Sequence, residues 1–198
     1  MLVEPVEQGW VRRGDATSAG IATLGRGDDA VLFLRFSVPL PPEVTLLEGY
    51  VLMQRAPAVD GDPGTIALHA ARIEGTWDAR SLSWGRQPSW VEVGAPITTV
   101  QVGISAQGTP VRVDVRGIVE RWRRRERGEG GLAILTDGRS ASGLPIVLEP
   151  TDVPTDREDV VLRPAEPSVA QASSPLDPPP VALHPRQVGG PRLELYVR

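Results

Sequence analysis

Neither cysteine nor lysine occurs anywhere in the 198 residues. Without a thiol there is no disulfide framework and no thiolate nucleophile or ligand. With arginine as the sole strong base, Schiff-base and lysine-base chemistry are excluded as well. Histidine is scarce: His69 and His184 are the only two, and neither stands at metal-ligand spacing such as HxxxH, so we expect no metal and no cofactor. The longest clean apolar run, near Val31 to Leu34, falls far short of the ~20 residues a spanning helix needs. The opening MLVEPVEQGW has neither the basic nor the apolar region of a Sec leader. These absences predict no membrane partner, and they favour cytoplasmic assembly or residence in a particle.

What is present suffices for a core. Hydrophobic residues make up 40% of the chain and charged ones 23%, with a net charge of −4, an ordinary globular balance that does not call for nucleic acid. The recurrent period is two. In AVLFLRF, Leu32, Leu34 and Phe36 alternate with Val31, Phe33 and Arg35, as in a strand. The same alternation returns in LLEGYVLMQR, with positions 47, 49, 51 and 53 on one face, and in TIALHAA. It continues in TTVQVGI with Val100, Val102 and Ile104, and in VRVDV with Val111, Val113 and Val115. It recurs in GLAIL and LPIVLE, then in PRLELYVR with Leu193, Leu195 and Val197 on one side. Short strands punctuated by Gly and Pro predict an all-β fold: an antiparallel, jelly-roll-like β-sandwich.

Two stretches depart from that rhythm. Val115, Ile118, Val119 and Trp122 fall at helical spacing, which predicts one short amphipathic helix, capped by Asp114 and ended by the Gly128 to Gly131 region. Residues 150–189 are dense in proline, which removes ladder donors and favours extended chain. We therefore divide the protein into a main sandwich over 1–149, an extended proline-rich arm over 150–189 and a closing strand over 190–198. In the arm, the apolar residues Val160, Val161, Leu162, Val181 and Leu183 are the expected contacts with a neighbouring subunit.

Four blocks carry a family resemblance: FLRFSVPLPPEVTLLEGYVLM (33–53), TWDARSLSWGRQP (76–88), DVRGIVERW (114–122) followed by GLAIL, and PRLELYV (191–197). In this order they resemble the DNRLRE-domain family, a β-sandwich group related to some carbohydrate-binding modules. Three departures stand out: Ser37 after LRF, a short first-strand region before Ala30, and the arm in place of a short loop. The resemblance implies a noncatalytic sandwich.

Candidate sites follow from residue chemistry. Three tryptophans, Trp77, Trp84 and Trp90, lie within TWDARSLSWGRQPSW. Trp77 and Trp84 are read as packing a loop across one end of the sandwich. Trp90 with Gln87, Arg86 and Glu92 is the candidate ligand set if the protein binds a glycan, because aromatic faces stack on sugar rings. The run RRRERGE reads as a solvated helix face with nearly balanced charge, and the RGD strings at 13–15 and 26–28 as turn chemistry. The oxygen-rich turns around Asp28 and at 60–64 lack the pattern of a calcium loop. No GxSxG elbow occurs, and no enzyme is expected. The leading expectation is a structural or assembly protein with protein subunits as partners, in a virion, a phage-like or injection device, or a fibre. The alternative is a carbohydrate-binding or adhesive module.

Overall fold

The strongest alternating segments pair into sheets in a computed structural model that describes residues 1–14, 20–25, 30–38, 40–41, 43–56, 64–102, 109–124, 129–137, 143–148 and 189–198. The described residues form twelve strands: β1 Leu2–Val3, β2 Pro5–Arg12, β3 Ile21–Gly25, β4 Ala30–Ser37, β5 Leu46–Met53, β6 Gly64–Ile73, β7 Trp90–Glu92, β8 Thr98–Val102, β9 Val111–Asp114, β10 Glu129–Asp137, β11 Gly143–Val147 and β12 Arg192–Val197. One helix, α1 Arg116–Arg123, accompanies them. None of the described helical residues makes a helix long and apolar enough to cross a membrane.

All pairings are antiparallel. One sheet runs β1-β12-β5-β9, and a second runs β2-β4-β10-β6-β7 with β8 also on β6. A third pair, β11-β3, joins the first sheet through β5. Arg55 bridges Ile146, the Ala56 N–H donates to the Pro145 carbonyl at 3.0 Å, and the Val147 N–H donates to the Gln54 carbonyl at 2.9 Å. The result is an antiparallel sandwich.

Its main core gathers one side chain in two from each sheet: Leu32, Leu34 and Phe36 of β4, Val51 and Met53 of β5, Leu132 and Ile134 of β10, Leu193 and Leu195 of β12. Full burial of one such side chain contributes about 1.5–3 kcal/mol. Val100, Val102, Val111, Val113 and Val115 face the same core, as their spacing predicts, while Ile104 lies outside the described residues.

The helix forms where expected. Ile118, Val119 and Trp122 enter the core, and the Asp114 carboxylate accepts from the Arg116 N–H at 2.9 Å. Because α1 packs on β5 of one sheet and β10 of the other, it closes the gap between them. Its outer side carries Glu120 between Arg116 and Arg124, at 3.4 and 4.0 Å. The Arg123 guanidinium donates to the Val44 carbonyl.

Two local expectations are corrected. The helix gives way at Arg124, before Gly131, and Glu129 to Gly131 already belong to β10, opposite Ser37, Phe36 and Arg35. Leu47 is exposed and Leu46 buried, because the β5-β12 register shifts between Tyr196 and Val197, which face Glu48 and Leu46. Leu47 is thus the extra residue of a bulge, which reverses the alternation on its far side. Val197, the partner of Leu46 at the end of β12, is 39% exposed.

Candidate functional site: the tryptophan strap

A second apolar cluster lies on the outer face of the larger sheet. It holds Val11, Val31, Phe33, Ile73, Leu82 and Ala133, with Trp77, Trp84, Trp90 and Leu135 packed against it. β4 therefore buries both faces, so AVLFLRF reads as nearly continuous apolar sequence. Something must cover the outer face, and the residues between β6 and β7 do so.

Those residues form a closed loop. Ile73 pairs with Trp90, and the Glu74 N–H donates to the Ser89 carbonyl at 2.9 Å, so the loop's two ends meet as in an Ω-loop. From this base it folds back over the sheet until the 3-10 turn Ala79–Ser81 touches β2. The Asp78 carboxylate starts that turn by accepting from the Arg80 N–H at 3.0 Å. The loop thus crosses the sheet's outer face, not the end of the sandwich, which corrects the expected position of Trp77 and Trp84.

Small residues make room for it. On the face where Phe33 stands, its row carries Gly9 on β2, Ala133 on β10 and Ala71 on β6. Trp77 and Trp90 tilt onto the Phe33 ring, with centroids 5.9 and 6.0 Å away and interplanar angles of 52° and 53°, at separations typical of interacting aromatic pairs. A Cβ built on Gly131 would lie 3.2 Å from the Ile73 side chain and from Trp77 Nε1. One built on Gly9 would lie 2.6 Å from Leu82 Cδ1. Glycine at these two positions lets the loop approach the sheet.

The far end of the loop is fixed by charge. Glu7 of β2 accepts from the Ala79 N–H at 2.6 Å and forms an ion pair with Arg35 of β4. The Arg35 guanidinium lies 5.8 Å from the Trp77 ring centroid, within cation–π range. Arg13 stands similarly over Trp84, at 5.4 Å. The Glu7 side chain is only 12% exposed, so removing it leaves an amide and a guanidinium short of their partner. Glu7→Ala is expected to lower stability by about 1–3 kcal/mol, measured by urea unfolding, and to loosen residues 77–82 in amide exchange. Sequence reasoning did not single out Glu7 or Arg35. The available signal was the run of Gly and Ala at outward strand positions, which marks a depression that needs a lid.

The four residues of the candidate ligand set do not converge on a common point through their contacts. Trp90 is half-buried on Phe33. Gln87 turns back to donate to the Trp84 carbonyl at 3.1 Å. Arg86 is exposed, in a tight bridge with Ser83. Glu92 is exposed and meets His69 Nε2 at 3.1 Å, so His69 does sit at an outward strand position. The proposed subunit contacts Val160, Val161, Leu162, Val181 and Leu183, together with His184, the second RGD string, Asp28 and residues 60–63, lie outside the described residues.

The outer face of the other sheet is polar and aromatic. Tyr50 and Tyr196 meet edge to face at 6.5 Å and 82°. The Tyr196 hydroxyl donates to Glu194 Oε1 at 3.0 Å, and Arg112 pairs with Glu194 at 2.9 Å. Desolvation, then Glu48, raises the Tyr50 phenol above its ordinary pKa. At the rim, Arg55 reaches across to the Gln101 carbonyl of the opposite sheet, and desolvation lowers its pKa. Among the described residues, no three His, Asp or Glu side chains gather as a metal site would require.

Fold and surface thus define an all-β antiparallel sandwich closed by one helix and covered on one side by a tryptophan-bearing loop. No protein-family model matches the chain, and no curated protein matches it significantly.

Proposed function

We propose that this protein is a noncatalytic structural module, a β-sandwich whose proline-rich residues 150–189 contact a neighbouring subunit in a larger particle or surface assembly. The observation that carries this reading is how the tryptophans are used. Trp77 and Trp90 rest on Phe33, Trp84 packs beside them, and Trp10 and Trp122 lie in the main core. The aromatic surface that would most readily stack on a sugar is thereby committed to covering the protein's own sheet. The carbohydrate-binding alternative, built on Trp90, is correspondingly weaker. The resemblance to the DNRLRE-domain family belongs to the same proposal and agrees with a noncatalytic role.

A proline-rich contact segment loses little conformational entropy when it settles on a partner, because its backbone is already restricted. Light scattering across a concentration series tests the reading. The full chain is expected to oligomerise, and a variant with residues 152–187 replaced by a short Gly-Ser bridge is expected to remain monomeric at the same concentrations. Equal masses for the two would reject the assembly role. In that case a glycan-binding screen with Trp90→Ala as control is the next experiment.

A further inference from the structure

The route of β11 and β12 along β5 shows where residues 149–191 belong in the fold. On β5, carbonyl and amide groups of alternate residues point to opposite edges. The Gly49 carbonyl accepts from Val115, beyond β9, so odd-numbered groups face β9. The Gln54 carbonyl and the Ala56 N–H, both even, are bonded to β11 and so lie on the opposite edge, which β12 also occupies. β11 and β12 therefore lie end to end on one edge of β5.

Their registers nearly touch. Val147 bonds to Gln54, and Arg192 faces Leu52. Only Met53 stands between those partners, so a single residue would complete the strand where the chain instead carries residues 148–191. Leu148 and Pro191, both buried, border that one position, and Leu148 alone can fill it. Leu148 is buried in the main core, its N–H donates to the Gly20 carbonyl at 2.8 Å on the far side, and Met53 opposite is also in the core. Read straight through, Ile146, Leu148, Leu193 and Leu195 all point inward, while Val147 and Arg192 take the alternate positions. The alternation runs unbroken across the junction.

We infer that β11 and β12 are the two halves of one strand, and that residues 149–191 are an insertion between register neighbours Leu148 and Arg192 that the sandwich does not need in order to fold. This inference refines the proposed function by locating the contact segment: both its ends issue from one point beside Met53. A loop of about 40 residues held at one point reaches at most half its contour, roughly 70 Å at ~3.3 Å per residue. The neighbouring subunit must engage within that radius.

The test compares the full chain with two direct joins. In the first, residues 149–191 are deleted and Leu148 is bonded to Arg192 with no added linker. It is expected to unfold cooperatively, with a Tm within about 5 °C of the full chain. In the second, Leu148 is deleted too, which slips the register by one and turns Leu193 and Leu195 outward. Its Tm is expected to fall by on the order of 15 °C or more, or the variant not to fold. Equal Tm values for the two joins would overturn the inference. So would a first join that fails to fold while the Gly-Ser-bridged deletion folds, or failure of every deletion. Mass is read separately: a folded first join that keeps the full-chain oligomer rejects the assembly reading and leaves the insertion standing.

Discussion

Phe33→Ala is expected to lower stability by about 3–5 kcal/mol and to shift the native tryptophan emission to the red. Phe33 is fully buried although it points away from the space between the sheets. Both Trp77 and Trp90 use its ring as their seat. Truncation therefore leaves a cavity and also removes the surface that orders the loop, so the two indoles gain water while the fold persists. Phe36→Ala is the control, since Phe36 is equally buried but in the main core. It is expected to lose similar stability in urea with little change in native emission. Should Phe33→Ala cost less than about 1 kcal/mol, or leave the emission where it was, the loop holds itself in place and the outer cluster has no structural role.

A comparable loss, about 3–5 kcal/mol, is expected for Trp122→Ala. The helix α1 has eight residues, too few to be stable alone in water. Its adhesion depends on Ile118, Val119 and Trp122 in the main core, of which the indole buries the most area. Without it the helix should undock from β5 and β10 and open one end of the sandwich. Unfolding midpoints and faster amide exchange over residues 118–123 would report this. Arg121→Ala, at an exposed position of the same helix, is expected to change stability by no more than about 0.5 kcal/mol. A Trp122→Ala protein with unchanged exchange in the helix would mean that α1 is held by its polar contacts, such as Arg123 on Val44.

How far these features were readable depends on whether one physical signal acted alone. β8, β9 and α1 were legible because burial on a fixed face imposes a period of 2 or 3.6 that needs no other information. β2 was not, because Gln8 occupies a buried position beside Trp10 and the register shifts between Pro5 and Glu7, so neither face alternates cleanly. Leu47 misled for a related reason, since a bulge is a property of a strand pair and cannot be read from one strand. The candidate ligand residues Arg86, Gln87, Trp90 and Glu92 were grouped by nearness in sequence. In the fold each finds a separate partner, because a loop that doubles back sends successive side chains in different directions. The landing place of that loop was encoded at a distance, by Gly9, Ala71, Gly131 and Ala133, and became legible only once the strands carrying them were aligned.

The order of strands in the smaller sheet has a consequence during synthesis. β12, made of residues 192–197, sits inside that sheet between β1 and β5. Until those residues leave the ribosome, β1 lacks the neighbour it pairs with and β5 has a bare edge of amides and carbonyls, the kind of surface on which nascent chains associate wrongly. Early and late residues must then meet in one step, with Leu2 against Glu194 and Val3 against Leu193.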